Sequence, residues 1–250
     1  MKKPGITGIL LLLFLFLSFR GFSQENTNQK ALWYGYTFHV PLTNKWYNET
    51  EVMERHLVDP LVQSQFFIRT RFHKKISPFL NYGLGGSMFL FHVPTSSDLA
   101  NFNLPELRPQ GELNLHAKVA GISLTNRLRG ELRFFQNTNP EYTESEPGFN
   151  FTAARIRYRL QAILPLANLK DEKSLKLKIA NEIMAMGGGD LEELAFDQNR
   201  ISADLSFSFS SALSLDLGYV NWHQSKTHGG YLDQHILRTV VKHQLKSAKK

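Results

Sequence analysis

Charged and apolar residues alternate along the run from Asn126 to Phe135, which reads NRLRGELRFF. Charged side chains take every second position in most of this run, and nearly all of the positions between them are apolar. A period of two is typical of a β-strand, in which successive side chains point to opposite faces, whereas a helix repeats every 3.6 residues. The run is therefore predicted to be a strand with one charged face and one apolar face.

The same alternation recurs along most of the chain, most clearly at Arg108–Val119, Arg155–Leu164 and Arg200–Ser210. The candidate strands are residues 32–40, 45–56, 62–73, 77–91, 106–119, 121–135, 152–165, 174–186, 198–210, 211–224 and 233–245. Several are longer than a usual globular strand and reach the roughly 9–11 residues that cross a bilayer at a tilt. The predicted fold class is all-β, an antiparallel transmembrane β-barrel of about 10–12 strands after a signal peptide.

The predicted connections alternate in length, as they do in outer-membrane barrels. The short ones are residues 41–44, 73–76, 120–121 and 210–211, and the long ones are residues 92–105, 136–151, 187–197 and 225–232. Barrels made from one bacterial chain usually have an even number of strands. Eleven strands would place Trp33 at the outer side of the membrane, so we expect ten or twelve.

A soluble β-sandwich or a lipocalin-like barrel is the alternative fold, with the same alternation and the apolar face turned inward. A water-exposed face typically mixes Lys, Glu, Thr and Ser, whereas the charged face here is dominated by Arg. Aromatic residues near strand ends match the belts at membrane interfaces. They are Trp33, Tyr34, Tyr36, Trp46, Tyr82, Tyr158, Tyr219 and Trp222. These features favour the membrane barrel.

Residues 1–23 have the layout of a secretory signal peptide. Lys2 and Lys3 precede the apolar run 9–17, and Gly21 and Ser23 supply the small residues before a predicted cleavage. A membrane anchor is the alternative, but an uncharged stretch of about 15 residues is short for a spanning helix. We therefore expect export to a Gram-negative outer membrane, with residues 24–250 forming a single barrel domain.

Composition narrows the expected partners. The chain has no cysteine, which excludes a disulfide framework and lipidation at the cleavage site. Removing the signal peptide leaves 26 of the 29 basic residues against 22 acidic ones, a net charge of +4 that gives no case for binding nucleic acid. The expected partners are outer-membrane lipid, lipopolysaccharide and small anionic solutes. The oligomeric state is left open.

Three motifs carry a family resemblance: Arg-x-Arg-x-Glu-x-Arg at 127–133, Arg-x-Arg-Tyr-Arg at 155–159 and Asp-Gln-Asn-Arg at 197–200. Accompanying elements are Trp33, Lys45-Trp46, Glu106–Gln110, Asn181-Glu182 and Leu217–Tyr219. In combination they resemble an uncharacterised bacterial family, domain of unknown function 2490, over essentially the whole mature chain. The resemblance implies an outer-membrane β-barrel and supplies no activity.

The charged faces would line the lumen of such a barrel. The lumen-lining candidates are Arg69, Arg71, Arg108, Glu112, Arg127, Arg129, Glu131, Arg133, Arg155, Arg157, Arg159, Glu182, Arg200 and Asp204. With Lys118, Lys176 and Lys178 the set holds thirteen bases and four acids, an excess of +9. A low-dielectric wall with that excess favours anions. The main hypothesis is an anion-favouring porin-like channel or a site for an anionic ligand.

Two alternatives remain open. In a plugged structural barrel, cross-strand pairs between Arg and Glu would stiffen the wall, although four carboxylates cannot pair with thirteen bases. In a lipid esterase, His223 and Ser225 would share the lipid-facing side of a strand near the outer rim. That His-x-Ser pair resembles outer-membrane phospholipase and lipid A deacylase, where a histidine activates a serine. The sequence identifies no residue that would orient His223, so no catalytic residue is assigned, and no metal or cofactor is expected.

Overall fold

The computed structural model describes residues 26–93, 102–140, 143–169, 172–189, 191–226 and 229–245, which form eleven strands in one closed barrel. The strands are β1 (Asn26–Pro41), β2 (Trp46–Val58), β3 (Leu61–Lys75), β4 (Leu80–Val93), β5 (Phe102–Val119), β6 (Ile122–Thr138), β7 (Ser145–Asn168), β8 (Ser174–Gly188), β9 (Leu191–Ser208), β10 (Leu213–Ser225) and β11 (Tyr231–Gln244). The predicted all-β barrel fold is confirmed. The predicted signal peptide lies outside the described residues. No helix of sufficient length and hydropathy to cross a membrane occurs within these ranges.

The strand number is eleven, so the expectation of ten or twelve is wrong. Consecutive strands pair antiparallel, and each connection reverses the direction of the chain. With an odd number, the first and last strands run the same way, and β1 closes the barrel against β11 in a parallel ladder from Asn26↔Tyr231 to His39↔Gln244. The barrel is therefore mixed rather than purely antiparallel. We call its two ends the N-terminal rim, where β1 begins, and the C-terminal rim, where β11 ends.

Two of the predicted long loops are mostly strand. The β6–β7 pairing continues out to Thr138↔Ser145, and the β8–β9 pairing continues to Gly188↔Leu191. Both extensions contain register shifts, such as the one between Met186 and Gly188. A bulge inserts an extra residue and so breaks the period of two. Beyond the bulge the sequence no longer shows the regular alternation of a strand, so the pattern predicts a loop for these strand residues.

The charged face of the strands is the inside of the barrel. In β6, Arg129 has no exposed surface and Glu131 is 2% exposed, whereas Leu128 and Leu132 keep 49% and 45% of their surfaces exposed. The alternative arrangement, with the apolar face turned inward, is therefore wrong for this chain. The outer surface carries large exposed apolar side chains on every strand. Examples are Leu32, Val58, Phe72, Leu84, Leu113, Leu128, Ile156, Ile183, Leu205, Leu217 and Leu237.

The lumen has an apolar side and a charged side. On the apolar side, strands β1–β4, β10 and β11 contribute a packed cluster. Its buried members are Ala31, Trp33, Met53, Phe67, Phe89, Val220, Ile236 and Val240. Strands β5–β9 supply most of the buried ionic side chains opposite this cluster. The barrel is thus filled from one side by packing and from the other by ion pairs.

The parallel closure can be tested by cross-linking, because the chain has no native cysteine. Leu32 in β1 lies directly opposite Leu237 in β11, and neighbouring strands are about 5 Å apart, within the Cα separation of a disulfide. We expect Leu32→Cys/Leu237→Cys to form an intramolecular disulfide on mild oxidation, seen as a mobility shift of the denatured chain that reductant reverses.

The matched control for this cross-link is Leu32→Cys/Leu217→Cys. Leu217 is another outward leucine, but it lies on β10, which pairs with β11 rather than with β1. A disulfide in the control at the same rate, or none in the test pair, would contradict the closure.

Candidate anion-binding chamber

Strand alternation turns all of the sequence-predicted lumen residues inward. Ten of them are buried: Arg69, Arg71, Arg108, Glu112, Arg129, Glu131, Arg155, Arg157, Glu182 and Asp204. The other four are partly buried: Arg127, Arg133, Arg159 and Arg200. They do not form a single site. Instead they divide into an ion-pair network at mid-height, a cation–aromatic layer above it and a chamber below it.

The mid-barrel network is organised around three glutamates. Glu131 accepts a hydrogen bond from Arg157 Nη1 at 2.7 Å, and the same guanidinium reaches Glu182 at 2.9 Å. Glu182 also accepts one from Arg127 Nη2 at 2.6 Å. Glu112 is 2.6 Å from Nη2 of Arg129. The network therefore links strands β5 to β8 across the lumen, with each carboxylate shared between guanidinium groups.

The cation–aromatic layer lies between the network and the N-terminal rim. Here guanidinium groups lie over aromatic rings of the apolar cluster: Arg55 is 3.8 Å from the ring centre of Trp33, and Arg108 is 3.7 Å from that of Phe89. Glu106, fully buried, accepts hydrogen bonds from both Arg108 and Arg133. Cation–π contacts of this kind gain strength when the cation is desolvated. This layer fills the lumen with side chains.

The sequence reasoning missed five inward carboxylates that neutralise these cations. They are Glu49, Glu51, Glu106, Asp197 and Asp216. It also missed the inward bases Arg55, Arg238 and Lys242. Adding both groups gives sixteen bases and nine acids, so the excess falls from +9 to +7. The signal was available in β2, where Glu49, Glu51, Met53 and Arg55 share one face by period two.

The chamber is a cavity of about 910 Å³ that opens toward the C-terminal rim. Its lining reaches inward as far as Arg55 and Trp33, at the lower edge of the cation–aromatic layer, and does not include Glu106, Arg108 or Phe89 of that layer. Serines of β9, of β10 and of the turn between them form much of its wall. They are Ser202, Ser206, Ser208, Ser210, Ser211 and Ser214. Hydroxyl groups both donate and accept hydrogen bonds, so the wall is polar and adaptable.

The cations that line the chamber fall into two groups. The first group is paired with carboxylates, and its upper members are Arg69, Arg71, Arg127 and Arg157. Arg238 pairs with Asp204 at 2.5 Å, and Lys178 and Lys242 share Asp216 at 2.9 and 2.7 Å. The second group has no carboxylate within 4 Å among the described residues, and consists of Lys118, Arg159, Lys176, Arg55 and Arg200. Arg55 and Arg200 lie over tryptophan rings. Lys118, Arg159 and Lys176 therefore present their charge to the chamber.

Arg159 is the best positioned of these cations. In the sheet it lies between Arg127 of β6 and Glu182 of β8. Glu182 is already held by Arg127 and Arg157, and Arg159 has no side-chain hydrogen bond within the described ranges. Two guanidinium groups side by side repel each other unless an anion or water lies between them. The arrangement can therefore hold an anion at the upper end of the chamber.

The described residues contain no cluster of three or more His, Asp or Glu side chains that could hold a metal ion. The esterase candidates His223 and Ser225 lie away from the chamber, on the outer face of β10. Outward and inward residues cannot share a site across the barrel wall. The two hypotheses therefore concern separate surfaces.

Comparison with known proteins gives one match. A family model described as "Protein of unknown function (DUF2490)" matches residues 30–246. This confirms the resemblance predicted from the Arg-rich motifs. No curated protein and no solved structure matches the chain.

Breaking the mid-barrel network should destabilise the barrel. Glu131→Gln removes the charge that faces Arg157, Arg129 and Arg155, and removing one partner of a buried ion pair costs about 3–5 kcal/mol. We expect the free energy of unfolding to fall by that amount in urea titrations of the detergent-folded protein, followed by tryptophan fluorescence. Glu146→Gln, at an exposed position in β7, is the control. Equal stability of the two variants would contradict the role given to the network.

Proposed function

Because the chain belongs to the DUF2490 family, whose description assigns no activity, we propose its function from the two surfaces of its barrel. We propose that the protein is an outer-membrane β-barrel that binds a small anion in the chamber at its C-terminal rim. The membrane location is supported by the apolar outer surface and by strands of 13 to 24 residues, long enough to cross a bilayer at a tilt.

One observation carries the binding proposal. Lys118, Arg159 and Lys176 line a cavity open to solvent and have no carboxylate partner among the described residues. The nine inward carboxylates pair with most of the other lumen cations, and Asp204 and Asp216 do so within the chamber wall itself. The unbalanced charge is therefore concentrated where a solute can enter. Cations on a low-dielectric wall raise the local concentration of anions.

A ligand of limited size and several negative charges suits this chamber best. The guanidinium group of Arg159 offers a fork of donors that matches phosphate or carboxylate oxygens, whereas Lys118 and Lys176 act as point charges. The serines of β9 and β10 add hydroxyl donors around the same space. The expected ligand class is a small phosphorylated or polycarboxylated solute.

Side chains fill the lumen at mid-height. This favours a binding site for an anionic ligand over an open anion channel. Arg129, Glu131 and Glu106 retain at most 2% of their surfaces exposed. A permeating ion would have to displace paired side chains at that level and leave buried charges without partners, which is costly. The same network supplies the cross-strand Arg–Glu pairs that a structural barrel would use to stiffen its wall. The proposed protein is thus closed at mid-height and open to ligand on one side.

Anion binding can be measured with inorganic pyrophosphate by titration calorimetry on the detergent-folded protein at low ionic strength. We expect Arg159→Gln and Lys176→Gln each to weaken binding by about tenfold or more, because a hydrogen bond to a charged group contributes roughly 1.5–3 kcal/mol. The affinity should also fall as salt is raised. Lys30→Gln removes an equal charge from an exposed outward position of β1 and should leave binding unchanged.

Two results would contradict this proposal. One is a wild-type protein that binds no pyrophosphate, or binds it no better than Arg159→Gln does. The other is a steady anion-selective conductance in planar bilayers, which would replace the closed barrel by the channel hypothesis.

A further inference from the structure

The outer face near the N-terminal rim holds a second constellation of polar side chains. His223 and Ser225 are two residues apart in β10 and therefore lie on the same face. In the β10–β11 register, His223 is directly opposite Asp233, and Ser225 is opposite Tyr231. His223 Nδ1 and Asp233 Oδ1 are 2.7 Å apart. Asp233 is the orienting acid that the sequence did not reveal.

The contact with Asp233 determines what the imidazole of His223 can do. When Nδ1–H donates to a carboxylate, the lone pair is on Nε2, which is then the basic nitrogen. No described residue hydrogen-bonds to Nε2 of His223. The ring plane is held by Tyr231, whose ring centre is 4.5 Å away at 23°, and by Phe196 at 6.1 Å. A fixed tautomer and a fixed ring with a free Nε2 are the properties of a general base.

Ser225 is the next side chain after His223 on the same outer face of β10. Residues two apart on a strand face are separated by about 6.6 Å, and the imidazole spans much of this distance. The His223 ring also stacks on Tyr231, which lies directly opposite Ser225 in the register. Ser225 Oγ is not hydrogen-bonded to His223 in the structure. Such contacts commonly close only when substrate is bound.

The surroundings indicate the substrate. Below the three residues, the same outer face carries apolar side chains, including Leu217 and Leu237 with 51% and 62% of their surfaces exposed. Above them the chain turns at the N-terminal rim between β10 and β11. A nucleophile at the edge of an apolar band lies at the depth where lipid acyl chains join their headgroups. An acyl ester at that depth would meet Ser225.

We propose that Ser225, His223 and Asp233 form a serine hydrolase site for acyl esters of membrane lipids. Ser225 Oγ attacks the ester carbonyl carbon while His223 Nε2 takes the hydroxyl proton. The tetrahedral intermediate then breaks its bond to the alkoxy oxygen, which leaves as an alcohol with the proton from His223. Water, deprotonated by His223, attacks the acyl-serine, releases the fatty acid and restores the hydroxyl. Asp233 is a positioning residue, because it acts through His223.

The choice of lipid as substrate rests on the proposed membrane location, whereas the triad itself does not. Two assays on the detergent-folded, full-length mature protein separate these claims. A fluorophosphonate probe and a water-soluble short-chain ester report the triad alone. Release of fatty acid from phospholipid vesicles or from lipopolysaccharide reports the substrate class.

The variants are Ser225→Ala, His223→Ala, Asp233→Asn and Asp233→Glu. The matched controls are Asn221→Ala and His235→Ala, at outward positions of the same two strands, where His235 contacts Tyr219 rather than a carboxylate. We expect Ser225→Ala to abolish probe labelling, and His223→Ala to lower ester turnover by roughly 10²–10⁴-fold, the usual contribution of a general base. Asp233→Asn should lower kcat with little change in KM, Asp233→Glu should restore part of it, and both controls should retain wild-type rates.

Retention of the heat-sensitive electrophoretic mobility of a folded barrel shows that each variant has folded. Absence of labelling and of ester turnover in the folded wild type, or equal activity in Ser225→Ala, would overturn the triad. Cleavage of the short-chain ester without cleavage of any lipid would support the triad and overturn the lipid substrate. Both results are independent of pyrophosphate binding, so they leave the chamber proposal unaffected.

Discussion

Pairing of buried charge is the constraint on which the rest of this barrel depends. Apolar side chains occupy most of the outward positions. Nearly all of the arginines of the strands therefore lie inside the barrel. An isolated charge in such an interior is very costly, and it is tolerated when hydrogen bonds and opposite charges replace its water. Glu131 and Arg129 illustrate the solution: both are almost wholly buried, and each faces more than one partner. The cations on the apolar side are instead covered by aromatic rings.

The same constraint explains the position of the chamber. At mid-height the paired side chains are almost wholly buried, and Arg127, Arg157 and Glu182 of the network line the upper end of the cavity below. Lys118 and Lys176 lie near the C-terminal rim, where water can solvate them. Their charges need no partner in the protein for that reason. Of the bases without a carboxylate partner, Arg55 and Arg200 are covered by tryptophan rings, whereas Lys118 and Lys176 lie where a solute can reach them.

Much of the fold was predictable because alternation is a local property. In the run around Arg129, each residue's face follows from its neighbours alone, and all eleven candidate strands are present. The inward direction of that charged face was predictable too, from the excess of Arg and the aromatic residues near strand ends. The strand number was not, because the general preference for even barrels does not hold where the first and last strands close in parallel.

The parts of the site that were missed depend on register. Asp233 meets His223 only because the β10–β11 ladder places the two residues opposite each other, and sequence distance does not reveal this. Bulges such as that between Met184 and Ala185 shift the face of every later residue. Asp197 is the extra residue at this bulge, and it is buried together with its neighbour Gln198, which a period of two does not predict. In β2, by contrast, the alternation of Glu49 and Glu51 was plain and was overlooked in the count of charges.

The parallel pairing of β1 with β11 has a consequence for how the barrel assembles. Every other pairing joins neighbours in the chain, whereas this one joins Gln29 to Gln234, which are 205 positions apart. Bringing together such distant segments costs chain entropy that hairpins largely avoid. We therefore expect an open sheet with two unpaired edges to precede the closed barrel. Until it closes, those edges can accept another strand, and the slowest step in maturation would be the joining of the two ends of the sheet.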